Sequence, residues 1–229
     1  MSVPVAIIDS GINPFHPHVH GVSGGISFRM DETADIIENP DFSDHIGHGT
    51  AIAGVIREKA PDADMYAVKI FYDKLKAPVD LLIAGLKWAI DENMKIIHLS
   101  LGTEQDACKA RLGQLCREAY RKHIIMVAAA RSPEDDIFPA GLPGVIGVYW
   151  NRQCRKGEII CHPGCRIEFG ASGRPRKLTG IPENMNFSGH SFAAAQVTGK
   201  IAALLEGNPQ AEPEWLRELL AQQAVNPES

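Results

Sequence analysis

The sequence predicts an α/β fold: a single domain with a mostly parallel central sheet and helices on both faces. Strand-length apolar runs alternate with segments whose apolar residues recur every three to four positions, as βαβ units require. The first run, Val3 to Ile8, is apolar throughout apart from Pro4, as a strand buried on both faces must be. With 229 residues, the chain can bury a sizeable core without staples. There is no internal repeat, low-complexity tract or interdomain linker, so residues 1–229 are expected to form one domain.

The remaining elements follow in order. Gly49 to Glu58 reads as a helix, with Ile52, Val55 and Ile56 on one buried face. Asp64 to Phe71 is a strand. Pro78 to Asn93 is a helix whose Leu82, Leu86 and Ala89/Ile90 share a face. Ile96 to Ser100 is a strand, Asp106 to Lys122 a helix and Ile124 to Ala130 a strand. Val145 to Trp150 and Arg166 to Phe169 read as further strands. Ser191 to Leu205 is a helix rich in small residues, and Glu212 to Ala224 closes the chain with Pro213 in its first turn. Two segments break the pattern: Arg29 to Asp44, an acidic and polar surface loop, and Gln153 to Gly164, a Cys-bearing turn or hairpin tip.

Composition narrows the function. The chain is 45% hydrophobic and 22% charged, ordinary for a globular protein. A net charge of −5 without a long basic run argues against nucleic acid as a partner. No apolar stretch approaches the roughly 20 residues that span a bilayer, which argues against a membrane partner. Met1-Ser2-Val3-Pro4 runs directly into a strand without the charged and apolar regions of an export signal. The five Cys residues are an odd number. Together these features predict a cytoplasmic protein with reduced thiols and no cofactor. They leave the oligomeric state open.

Three distant segments carry the chemistry: Ile7-Ile8-Asp9-Ser10-Gly11, His45-Ile46-Gly47-His48-Gly49-Thr50 and Ser188-Gly189-His190-Ser191-Phe192-Ala193. A serine hydroxyl becomes a useful nucleophile when an imidazole takes its proton, and a buried carboxylate holds that imidazole in the right tautomer. Asp9 ends a strand, while His48 and Ser191 each open a helix, so all three are placed at the carboxyl edge of the sheet. The helix after Ser191 points backbone N–H groups toward developing negative charge. The bland alternative for each residue alone is a satisfied structural side chain. The order Asp9, His48, Ser191, at separations of 39 and 143 residues, makes a catalytic triad the stronger reading.

At these segments the chain resembles the subtilisin-like serine proteases. The resemblance implies a serine endopeptidase with Asp9, His48 and Ser191 as its triad, acting on a peptide or protein substrate. It extends to Ile96-Ile97-His98-Leu99-Ser100-Leu101-Gly102, which looks like the family's substrate-pairing strand, so that Ser100, Leu101 and Gly102 would bind peptide by β-augmentation. Met126-Val127-Ala128-Ala129-Ala130 resembles the strand flooring the first specificity pocket, implying binding roles for Ala129, Ala130 and the adjoining Arg131. Phe138-Pro139-Ala140 through Val145-Ile146-Gly147-Val148 resembles the stretch that follows. The family's calcium loops have no clear counterpart.

The departures are specific. Where the family has Gly-Asn, whose amide donates to the oxyanion, this chain has Arg131-Ser132. Loss of one such donor costs about 10²–10³ in turnover. Ser132 and His190 are the candidate replacements, His190 being favoured because it adjoins the nucleophile. Arg131 either narrows the first pocket, favouring a small or acidic P1 side chain, or turns outward to pair with Glu134, Asp135 or Asp136. The usual Pro and His after the nucleophile are replaced by Ala195 and Gln196, and the common His after Gly-Thr is Ala51.

Three readings remain open: a processing protease of narrow substrate range, a pseudoprotease retaining a peptide-binding cleft, and a redox or metal-responsive protein using Cys154, Cys161, His162 and Cys165. The first is favoured because all three triad members are present. The Cys cluster lacks paired C-x₂-C spacing, so no metal is expected. Cys108 and Cys116 fall on a helix and are expected in the core.

Overall fold

The computed structural model describes residues 2–180, 182 and 185–225. Among these residues nine strands form one sheet: β1 (Pro4–Asp9), β2 (Gly24–Met30), β3 (Ile36–Asn39), β4 (Asp64–Lys69), β5 (Ile96–Leu99), β6 (Ile125–Ala130), β7 (Val145–Trp150), β8 (Ile159–Cys161) and β9 (Phe169–Ala171). Their spatial order is β3-β2-β4-β1-β5-β6-β7-β9-β8. All neighbours are parallel except the two edge pairs, β2 with β3 and β8 with β9. Among the described residues five helices cover it: α1 (His48–Lys59), α2 (Val79–Asp91), α3 (Asp106–Arg121), α4 (His190–Gly207) and α5 (Pro213–Gln222).

The period-2 geometry of a strand explains the three layers. Along β1, Val5 and Ile7 face a core shared with Ile52, Val55 and Ile56 of α1, Phe192 and Val197 of α4, and Leu216 and Leu220 of α5. Ala6 and Ile8 face the opposite core, shared with Leu82, Leu86 and Ile90 of α2 and Leu112 and Cys116 of α3. A strand between two apolar layers must be apolar at every position, as the run to Ile8 is. Small residues let α4 approach α1: a Cβ on Gly199 would lie 3.2 Å from the backbone of Ile56.

Three expectations need correction. Residues 29–44 contain more than a loop: β2 and β3 form an antiparallel hairpin with Ser27 opposite Asn39 and Met30 opposite Ile36. All four residues of β3 are exposed, so backbone pairing sustains it and hydrophobic alternation gives no signal. The last parallel strand begins at Phe169, not Arg166. Its register is set by Val148 opposite Phe169, while the Ile167 N–H is drawn out of the sheet to the carbonyl of Pro133 at 3.0 Å. The Cys-bearing segment holds a short strand, β8, paired with β9.

The strand order reverses at β1, with β4 on one side and β5 on the other. A switch point of this kind leaves a crevice outside the carboxyl ends of the strands. Asp9 is the last residue of β1 and lies in that crevice.

Candidate active site

Asp9 is fully buried, and both of its oxygens face the His48 ring: Nδ1 is 2.8 Å from Oδ1 and 2.9 Å from Oδ2. The Ser10 N–H donates to Oδ1 at 2.7 Å. His48 is the first residue of α1, which leads from the β2–β3 hairpin to β4, and Ser191 is the second of α4, which follows β9. The Ser191 hydroxyl donates to the Ser100 carbonyl at 3.1 Å. Two rings wall the imidazole, Phe192 at 5.4 Å and Phe187 at 5.7 Å between centroids, both edge-on. They leave His48 only 5% exposed.

The start of α1 is fixed by residues that sequence reasoning passed over. Asp44 accepts from the Gly47 N–H at 2.8 Å, the Ile46 N–H at 3.0 Å, the Thr50 N–H at 2.9 Å and the Thr50 hydroxyl at 2.6 Å. Its carboxylate thus satisfies orphan donors of the helix end and offers negative charge to the dipole. Ser10 gives its proton to Asp44 at 2.9 Å and accepts from the Gly49 N–H at 2.9 Å. The turn after Asp9 is thereby tied to the turn holding His48. An Asp three residues before Gly47-His48 was the available signal. Gly47 itself takes φ +89°, a left-handed conformation that suits glycine.

Charge follows from this packing. Burial pushes the Asp9 carboxyl up, but the charge and hydrogen bond of His48, with hydrogen bonds from Ser100 and Ser10, outweigh it and hold the group below the usual range. Burial pushes His48 down, while Asp9 and the nearby Asp44 more than compensate, so its pKa is raised. Nδ1 carries its proton toward Asp9, which leaves Nε2 as the basic nitrogen.

The register Ile8 opposite Leu99 sets Ser100 beside Asp9. Past Leu99 the strand leaves the ladder, and Thr103 then bridges Phe138, N–H to carbonyl in both directions at 2.8 Å. Ser100, Leu101 and Gly102 lie between these ties, half-buried. Leu101, Gly102 and Arg131 line a cavity of about 410 Å³ with Phe71, Leu82 and Ile137. Ala129 and Ala130 are buried in β6, 7% and 1% exposed. A second cavity of about 410 Å³, unforeseen from sequence, is lined by Gly47, Phe187, Asn186, Arg176 and His16.

Arg131 takes the outward course, pairing with Asp135, and adds a second partner. Its guanidinium clasps Asp135, Nε to Oδ2 at 3.0 Å and Nη2 to Oδ1 at 2.8 Å, and also pairs with Glu104 just past the Ser100–Gly102 segment. Two carboxylates balance its charge, so the electrostatic ground for an acidic P1 preference is lost. Ser132 offers its carbonyl to the Asp135 N–H at 3.3 Å. His190 accepts the Trp150 N–H at Nδ1, 3.0 Å away. Burial lowers its pKa, so the ring is neutral with its proton on Nε2.

The cysteine segment is arranged differently. Cys154 is buried against the Gly170 carbonyl, and His162 Nε2 is 2.7 Å from the Tyr149 hydroxyl. Among the described residues, no group of three or more His, Cys, Asp or Glu side chains is gathered as a metal would need. All five cysteines are free thiols, with Cys108 and Cys116 buried in the α2–α3 core. No helix among the described residues is long and apolar enough to cross a membrane.

Comparison with known proteins bears on the family and the fold. The model of the subtilase family matches residues 2–133. Subtilisin E of Bacillus subtilis (strain 168) is 31% identical over 225 residues, covering 91% of this chain and 56% of that protein. The minor extracellular protease Epr of the same organism is 28% identical, covering 98% and 35%. Subtilisin of Bacillus pumilus is 30% identical, covering 91% and 78%. The chain thus spans little more than half, or less, of the first two relatives. Among solved structures, a lanthipeptide protease superposes with a TM-score of 0.74 at 20% identity, covering 97% of this chain and 80% of that one. The prenylagaramide maturation protease PagA gives 0.67 at 22% identity, covering 93% and 80%. These two likenesses show a shared fold. By the matched family model and the identity to the subtilisins, the chain belongs to the subtilase family.

Proposed function

We propose that the chain is a serine endopeptidase, a single catalytic domain that hydrolyses peptide bonds through an acyl-enzyme on Ser191. The observation that carries the reading is the buried Asp9–His48 pair at 2.8 Å, set in the same crevice as the head of α4. Rotation about the Ser191 side chain moves its proton from the Ser100 carbonyl toward His48 Nε2. Attack on the substrate carbonyl passes that proton to Nε2, and Asp9 stabilises the imidazolium. The amine leaves with the proton from His48. Water then repeats the sequence on the ester, returning the proton to Ser191. The Ser191 backbone N–H and His190 Nε2–H serve as oxyanion donors, with Ser132 contributing less because its hydroxyl is short. Substrate pairs along Ser100, Leu101 and Gly102, with Ala129, Ala130 and Arg131 on the facing wall.

A narrow processing role is supported by the Arg131–Glu104 tie beside the binding edge and by likeness in fold to a lanthipeptide protease and a maturation protease. Five free thiols favour action in a reducing compartment, the cytoplasm. Fluorophosphonate labelling with peptide mapping tests the reading. Ser191 is expected to carry the adduct, and Ser191→Ala or His48→Ala to abolish turnover to similar extents, because triad members act as a unit. Failure to label, with peptide binding preserved, would replace this reading by the pseudoprotease one.

A further inference from the structure

His98 lies in β5 with 0% of its surface exposed, and the mechanism above gives it no part. Its Nδ1 is 2.9 Å from the Thr198 hydroxyl of α4, and its Nε2 is 3.0 Å from the Ser100 hydroxyl. The β1–β5 register sets Ser100 beside Asp9, and its hydroxyl is among the groups that hold the Asp9 carboxyl below the usual range. We propose that His98 is a positioning residue of the triad: through Ser100 it fixes the carboxylate that orients His48. The inference rests on the peptidase reading of the site.

Proton counting sets the direction of the chain. Ionised Asp9 can only accept, so Ser100 gives it its single hydroxyl proton. The Ser100 oxygen is then free to accept, and His98 Nε2–H donates to it. Nδ1 is left bare and takes the Thr198 proton. The ring is neutral, as this requires: burial lowers its pKa to about 4 despite the nearby Asp9. The donations run Thr198 to His98 to Ser100 to Asp9, and His48 donates to the same carboxylate from the other side. Hydrogen bonds aligned in this way polarise one another in a water-free interior. Ser100 is the junction, because the register sets it beside Asp9 while its carbonyl receives the Ser191 proton. A histidine kept only to fill space would need partners, but none of them would have to reach a triad member.

The test compares His98→Leu, His98→Gln, Thr198→Val and Ser100→Ala with the parent. His98→Leu is expected to lower kcat about tenfold or more, since small losses of alignment are costly. KM should stay within about twofold, because the ground state is bound elsewhere. A carboxylate free to turn raises the His48 pKa less, so the acidic limb of kcat/KM should move down by roughly half a unit. The low-field proton resonance of His48 Nδ1–H should broaden. His98→Gln, which keeps an N–H for Ser100, should recover much of the loss, and His98→Leu combined with Ser100→Ala should be little worse than Ser100→Ala alone. Should His98→Leu not fold, Thr198→Val removes one hydroxyl at nearly constant shape and is read the same way. Parent values of kcat, acidic limb and resonance in a folded His98→Leu or Thr198→Val protein would overturn the proposal. So would losses that multiply fully in the double variant. If the parent fails to label with fluorophosphonate, the peptidase reading falls, and the His48 resonance and titration still decide whether His98 acts on Asp9.

Discussion

Gly49→Ala is the sharpest steric probe of the site. A Cβ at position 49 would stand 2.2 Å from the Gly11 carbonyl oxygen and 3.2 Å from both Cβ and Oδ1 of Asp9. Real Cβ contacts do not fall below 3.0 Å, so the two backbones must part by at least 0.8 Å. Gly11 cannot readily retreat. A Cβ on its own far side would lie 2.2 Å from the Phe42 carbonyl, and the Ile12 N–H is held to that carbonyl at 3.1 Å. The displacement therefore falls on the start of α1. Adding 0.8 Å to the 2.8 Å His48–Asp9 contact takes it beyond hydrogen-bond range. A misplacement near 1 Å costs on the order of 10² in kcat/KM, and the overpacking ~1–3 kcal/mol of stability. Fluorogenic peptide kinetics and thermal melts measure both. Gly207→Ala is the control, because a Cβ there meets nothing within 4 Å. If Gly49→Ala kept kcat/KM within about threefold and its Tm within about 2 °C of the parent, the close approach would not be what seats His48.

Other outcomes follow from the charges and thiols. Because Asp9 raises the His48 pKa, the acidic limb of kcat/KM should lie above the free-imidazole value of about 6.5; a limb at or below it would refute the coupling. His98 binds a proton more readily unfolded than folded, where its pKa is about 4. The stability it contributes is present above about 6.5 and lost as pH falls toward 4, amounting to ~3 kcal/mol. Urea melts across that range should show the loss, and His98→Gln should reduce it. Burial pushes the Cys116 thiol up to about 12, so iodoacetamide near pH 8 should modify the half-buried Cys161 and Cys165 first, as peptide mapping would reveal. Arg131→Gly releases the ties to Glu104 and Asp135 and should raise kcat/KM for bulky apolar P1 residues about tenfold relative to Ala. An unchanged P1 series would place Arg131 outside the pocket.

Much of the scaffold is legible because it rests on local rules. The run ending at Asp9, the apolar face of Ile52, Val55 and Ile56, and the small residues of α4 all follow from period and packing. The hairpin of β2 and β3 escapes such reading, since exposed Ile36 and Ile37 sit among acidic neighbours and backbone pairing sustains the ladder. Asp44 escapes for a different reason: it looks like one more acid in a polar stretch until Thr50 and Gly47 fold back onto it. Arg131 has its nearer partner four residues away and the other, Glu104, 27 residues away. Local charge patterning reveals only the first.

His98 and His190 show why a histidine is hard to read from sequence. Each sits beside a residue of the site, and their roles are set by what faces the ring nitrogens. In His98 both nitrogens are taken by hydroxyls, so the ring can pass hydrogen-bond polarity toward Asp9 but has nothing left for substrate. In His190 a single backbone N–H occupies Nδ1, which fixes the proton on Nε2 of a half-buried ring next to Ser191. A neutral donor held in this way suits an oxyanion, because it donates without bringing a second full positive charge beside the His48 imidazolium. In the proposed mechanism the two rings divide the work that follows from replacing the family's Gly-Asn pair with Arg131-Ser132. His190 supplies the donor from the nucleophile's own helix, while His98 and Ser100 stiffen the opposite side of the triad. Their separation by the Ser191 turn implies that substitutions at the two positions should act nearly independently on kcat.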